Sequence, residues 1–131
     1  MKTTLRYVAL AVCAAILSAC ATSADVQPGK GLQFAVKDRS YDQVWSASVE
    51  TVSNQLTILQ SDKKSGVIKA ESRAGMATWG EVVGVFINTK GKKRNKHTVE
   101  VVSLKRGQIQ VTGQNWEKTI AEGIKARLGK K

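Results

Sequence analysis

Hydrophobic residues follow three patterns along the chain: one unbroken run near the start, several stretches alternating with polar residues, and two stretches spaced by threes and fours. Alternation predicts strands and the wider spacing predicts helices. Residues 32–36 alternate as a short first strand. Ser40 then stands three positions before Gln43, a capping-box pattern, and the helix it opens runs to about Leu56. Its apolar stripe is Tyr41, Val44, Trp45, Ser48, Val49, Val52 and Leu56, while Ser46, Glu50, Ser53 and Asn54 face away. A tryptophan in the middle of such a stripe reads as core rather than as a ligand-stacking ring.

Residues 57–60 make a second strand, and residues 61–66 a turn closed by Gly66, which tolerates a backbone conformation that other residues disfavour. Residues 67–73 alternate, with Ile68, Ala70 and Ser72 on one face. A flexible loop carrying Met76 and Trp79 leads to residues 81–90, apolar on both faces and so expected at the centre of the sheet. Residues 91–97 form a basic hairpin tip, residues 98–106 the returning strand, and residues 108–112 a last strand after Gly107. Gln114 or Asn115 caps a final helix lined by Trp116, Ile120, Ile124 and Leu128, with Gly123 allowing close approach to the sheet. The order β-α-β-β-β-β-β-α with short connections predicts a two-layer α+β domain. In it, a curved antiparallel sheet of about five to six strands carries two helices on one face.

The unbroken run spans residues 7–19, with Lys2 and Arg6 ahead of it. At about 1.5 Å rise per residue it is too short to cross a hydrocarbon core of about 30 Å, and charge, length and small final residues match a secretory signal. Leu17-Ser18-Ala19-Cys20 resembles the lipobox of bacterial lipoproteins. That resemblance implies cleavage between Ala19 and Cys20 and attachment of fatty acyl chains such as palmitate at Cys20. Two or three such chains anchor a protein stably to a membrane. In lipoproteins of this type an aspartate after the cysteine favours the inner membrane; here the residue is Ala21, which implies the outer membrane, facing the periplasm. The expected organisation is a signal at 1–19, an acylated cysteine and flexible tether at 20–31, and one α+β domain at 32–131.

Charge and cysteine content narrow the picture further. The formal charge of +11 falls to +9 when Lys2 and Arg6 leave with the signal. Cys13 leaves too and Cys20 carries lipid, so the domain has neither disulfide nor cysteine-based metal site and must rely on packing. A chain this basic would suit nucleic acid, but export argues against that partner. Anionic lipid, acidic polysaccharide or an acidic envelope protein fit better. Sequence gives no oligomeric state.

Tyr41-Asp42-Gln43-Val44-Trp45, Leu56-Thr57-Ile58 and residues 62–68 (Asp-Lys-Lys-Ser-Gly-Val-Ile) together resemble the repeated domain of the third lipoprotein of the outer-membrane β-barrel assembly machine. Similar small domains occur in many bacterial lipoproteins. The resemblance covers about 28 residues and implies a helix-grip fold. This chain has one such domain where that lipoprotein has two.

Groups for catalysis are scarce. His97 is the only histidine, read as an exposed residue at the cationic tip with no acid partner at hand. Asp38, Asp42, Asp62, Glu71 and Glu81 read as turn and cap residues. There is no phosphate-binding glycine loop, nucleophile elbow or paired-histidine motif, so no catalytic residue, metal or cofactor is assigned. The expectation is a non-enzymatic, lipid-anchored envelope protein that binds or helps assemble another envelope component. The alternative is a module for an anionic polymer or lipid, acting through Lys90, Lys92, Lys93, Arg94 and Lys96 with Trp79. Those charges would equally serve to discourage edge-to-edge pairing of the strands.

Overall fold

The computed structural model describes residues 22–74, 80–89, 95–106 and 113–129. Outside them lie the signal with Ala19 and Cys20, the loop positions of Met76 and Trp79, the basic residues Lys90, Lys92, Lys93 and Arg94, and the strand expected at 108–112.

The elements are β1 (Leu32–Lys37), α1 (Tyr41–Ser53), β2 (Thr57–Asp62), β3 (Val67–Glu71), β4 (Glu81–Thr89), β5 (Lys96–Lys105) and α2 (Trp116–Gly129). The strands form one antiparallel sheet in the order β1-β5-β4-β3-β2, so β4, the most apolar, stands at the centre as its pattern requires. This is the α+β architecture expected. β1 and β2 are the two edges, and α1 carries the chain from one to the other. Its 13 residues rise about 20 Å, close to the roughly 19 Å width of a sheet of five strands.

Local chemistry sets the ends of α1. The Ser40 hydroxyl accepts from the Gln43 N–H (3.2 Å) and the Gln43 side chain accepts from the Ser40 N–H (2.9 Å), completing the capping box. The helix stops at Ser53, three residues short of the expected end, yet Leu56 still reaches the core. Asn115 rather than Gln114 caps α2, its side-chain oxygen accepting from the Lys118 N–H at 3.0 Å. Asp62 organises the β2–β3 turn by accepting from Lys64 and Ser65, and Gly66 closes it at φ +74°.

The main core lies between the helices and one sheet face. Val44, Trp45 and Val52 of α1 and Ile120 and Ile124 of α2 meet Ile68, Val83, Val85, Val99 and Val101. Burying an aliphatic side chain fully contributes about 1.5–3 kcal/mol, which is where most of the stability resides. Gly123 does allow a close approach, but to α1 rather than to the sheet: a Cβ there would lie 2.6 Å from Thr51 Cγ2. Arg127 pairs with Glu50 across the same seam, and the Arg39 guanidinium donates twice to the Leu128 carbonyl at the end of α2.

The second face of the sheet is covered as well. Residues 22–31 are irregular, as expected of a tether, but they lie against the sheet as a strap. Val26 is fully buried among Val82 and Val102, with Phe86 and Leu104 beside them. Gly84 makes the socket, since a Cβ there would come within 2.5 Å of Val26 Cγ1. At the start of the strap the Lys69 ammonium donates to the Ser23 carbonyl (2.8 Å). Its end joins β1 through Gly31, where a Cβ would collide with the Val101 carbonyl.

Candidate functional site

His97 stands differently from its expected place. β5 begins at Lys96, so the hairpin tip is shorter than its composition suggested and His97 is a strand residue, opposite Val36 on β1 and Thr89 on β4. The alternation of Val99 and Val101 extends one step back and points the imidazole inward, leaving it 2% exposed. Nε2 lies 3.1 Å from the Arg39 carbonyl, which can only accept, so Nε2 donates there, and Nδ1 shares a hydrogen bond with the Thr89 hydroxyl at 3.1 Å. The Tyr41 ring sits 5.9 Å away.

A cleft of about 390 Å³ beside the imidazole includes Ser40, Tyr41 and Asp42, but their polar atoms are engaged. Ser40 caps α1, the Tyr41 hydroxyl donates to the Lys63 carbonyl (2.6 Å) and Asp42 pairs with Lys63 (2.8 Å). Burial pushes the Tyr41 phenol above its ordinary pKa, with Asp62 and Asp42 adding to the effect against Lys63. Ser40, Tyr41 and His97 thus each tie one element of the fold to another or cap it.

Glu100 is a further buried ionisable group, and one that the residue pattern did not single out. It projects to the second face and is 6% exposed. Oε1 accepts from the Gly29 N–H (2.6 Å) and the Gly31 N–H (2.9 Å), and Oε2 accepts from the Gln33 amide (3.1 Å). Burial works to raise its pKa, but the donors from Gly31, Gly29 and Gln33 outweigh it and hold the carboxyl below the ordinary range. Glu100 therefore latches the strap. A groove of about 750 Å³ opens beside it, lined in part by Pro28, Gln33, Lys64, Phe86, Asn88 and Thr98.

Glu81 and Glu71 are strand residues rather than turn or cap residues. Glu81 is 3% exposed; its Oε2 accepts from the Ser103 hydroxyl (2.6 Å), while Glu117 accepts from the Ser103 N–H (3.0 Å). Among the described residues Glu81 Oε1 has no hydrogen-bond partner. Glu71 pairs with Arg106. Among the described residues no three histidine, cysteine or acidic side chains group to hold a metal ion, and no helix is long and apolar enough to cross a membrane.

Of the expected anion-binding residues, Lys96 is described: it is exposed at the start of β5, opposite Lys37 on β1. The sequence reading missed the latch, although a glutamate between Thr98 and Val102 on a half-apolar strand, with Gly29 and Gly31 upstream, was a usable signal. No family model and no curated protein matches the chain.

Proposed function

We propose that the protein is a non-enzymatic lipoprotein of the bacterial outer membrane, anchored through acylated Cys20, whose domain binds or helps assemble another envelope component. The observation that carries this reading is the run at 7–19 closed by Leu17-Ser18-Ala19-Cys20. It gains support from the use to which the ionisable groups are put. His97 bridges Arg39 and Thr89, Glu100 holds the strap, and Asp62 builds a turn, so each has structural work. The resemblance to the assembly-machine lipoprotein domain gives the proposal its partner class, another protein of the envelope.

In-cell labelling with an alkyne fatty acid, followed by crosslinking and mass spectrometry, tests it. Label should appear in the wild type and vanish in Cys20→Ser, and the acylated form should crosslink to a recurrent envelope protein. An unlabelled wild type, or acylated protein with no recurrent partner, would overturn the reading.

A further inference from the structure

The strap fixes which way an anchored domain must face. Thr22 and Ser23 lie on the second face of the sheet, where Lys69 holds the Ser23 carbonyl and Val26 fills the socket over Gly84. Only two peptide units separate Thr22 from Cys20, a reach of about 7 Å. That is shorter than the roughly 8 Å over which charges act in physiological salt.

Charge divides the same way. On the second face Lys37 and Lys96 stand opposite one another, Lys30 lies on the strap, and none of the three has an ion-pair partner among the described residues. The acids there are occupied: Glu100 with the strap, Glu71 with Arg106, and Asp25 with Thr22. On the helical layer, by contrast, four acids (Asp42, Glu50, Glu117 and Glu122) stand against four bases (Arg39, Lys118, Lys125 and Arg127), and Asp42 also pairs with Lys63.

We infer that the second face of the sheet, framed by Lys30, Lys37 and Lys96, is a membrane-apposed surface that rests on anionic lipid headgroups, turning the helices toward the periplasm. This rests on the proposed anchor at Cys20 and adds an orientation that acylation alone does not specify. It also assigns the lipid contact to the sheet rather than to a loop. The envelope partner is then met by the helical layer.

The test uses the mature acylated protein, which begins at Cys20, reconstituted into vesicles of phosphatidylethanolamine and phosphatidylglycerol. Single cysteines are placed at exposed Ala35 on the second face (Ala35→Cys) and exposed Ser46 on α1 (Ser46→Cys), and their labelling by a water-soluble maleimide is timed. On vesicles Ala35→Cys should react about fivefold or more slowly than Ser46→Cys, with the two rates equal in detergent. Adding Lys37→Glu and Lys96→Glu should bring the Ala35→Cys rate up to that of Ser46→Cys. Equal rates on vesicles, slower labelling at Ser46→Cys, or no response to the charge reversals would overturn the inference. Flotation in about 0.5 M NaCl separates the two readings. Protein that floats yet labels equally defeats the orientation alone, and protein that fails to float defeats the anchor and the orientation with it.

Discussion

Replacing Glu100 by glutamine isolates the charge that latches the strap. The amide is nearly the size of the carboxylate and keeps one oxygen facing the Gly29 and Gly31 N–H groups, at 2.6 and 2.9 Å in the wild type. A hydrogen bond to a charged acceptor contributes about 1.5–3 kcal/mol and a neutral one about 0.5–1.5, so losing the charge costs about 1 kcal/mol for each of the two backbone bonds. Because Glu100 is only 6% exposed, solvent does little to soften the loss. The expected cost of Glu100→Gln near pH 7 is therefore about 2 kcal/mol, a roughly 30-fold increase in the population of released strap. The carboxyl's folded pKa lies below its ordinary 4.5, so its contribution is complete above that value and disappears as pH falls through the lower folded value. Wild type and variant should converge in acid. Urea unfolding across a pH series, with hydrogen exchange at the Gly31 amide, reads both effects. A variant within 0.5 kcal/mol of wild type at pH 7, or a gap that persists in acid, would refute the latch.

Other expectations follow from the packing. Val26→Ala should lose about 1–3 kcal/mol and open the chain before residue 32 to limited proteolysis, because it empties the socket over Gly84. His97→Ala should lower stability by about 2–4 kcal/mol in thermal unfolding, since it leaves the Arg39 carbonyl without its donor and a void beside Tyr41. Gly123→Ala gains about 1 kcal/mol of helix propensity but drives a Cβ to 2.6 Å from Thr51 Cγ2, for a net loss of about 1–2 kcal/mol. Thr51→Ser, which deletes that methyl, should recover most of this loss in a double-mutant cycle. Additive effects would place the clash elsewhere.

The architecture was readable because its signals are local and repeated. Ser40 and Gln43 set a cap, Gly66 closes a turn, and the apolar content of β4 places it at the centre whatever its neighbours are. What escaped depends on pairing. Whether His97 ends a loop or begins a strand turns on where Lys96 finds Lys37, which the residue order around the basic tip does not settle. Likewise the small polar composition of residues 22–31 reads as a tether. Its single valine matters only once Gly84 supplies a socket across the sheet. Glu100 was passed over for the same reason, since its donors sit about 70 residues upstream. Gly123 was recognised as a contact point, but the element it meets was set by how the helices lie together.

The most direct measurement is the intact mass and N-terminal peptide of the protein isolated from membranes of its own host. The account predicts a chain that starts at Cys20, carries two or three fatty acyl chains and has lost its first nineteen residues. A chain that retains those residues, or that begins at Cys20 with an unmodified thiol and amine, would contradict it.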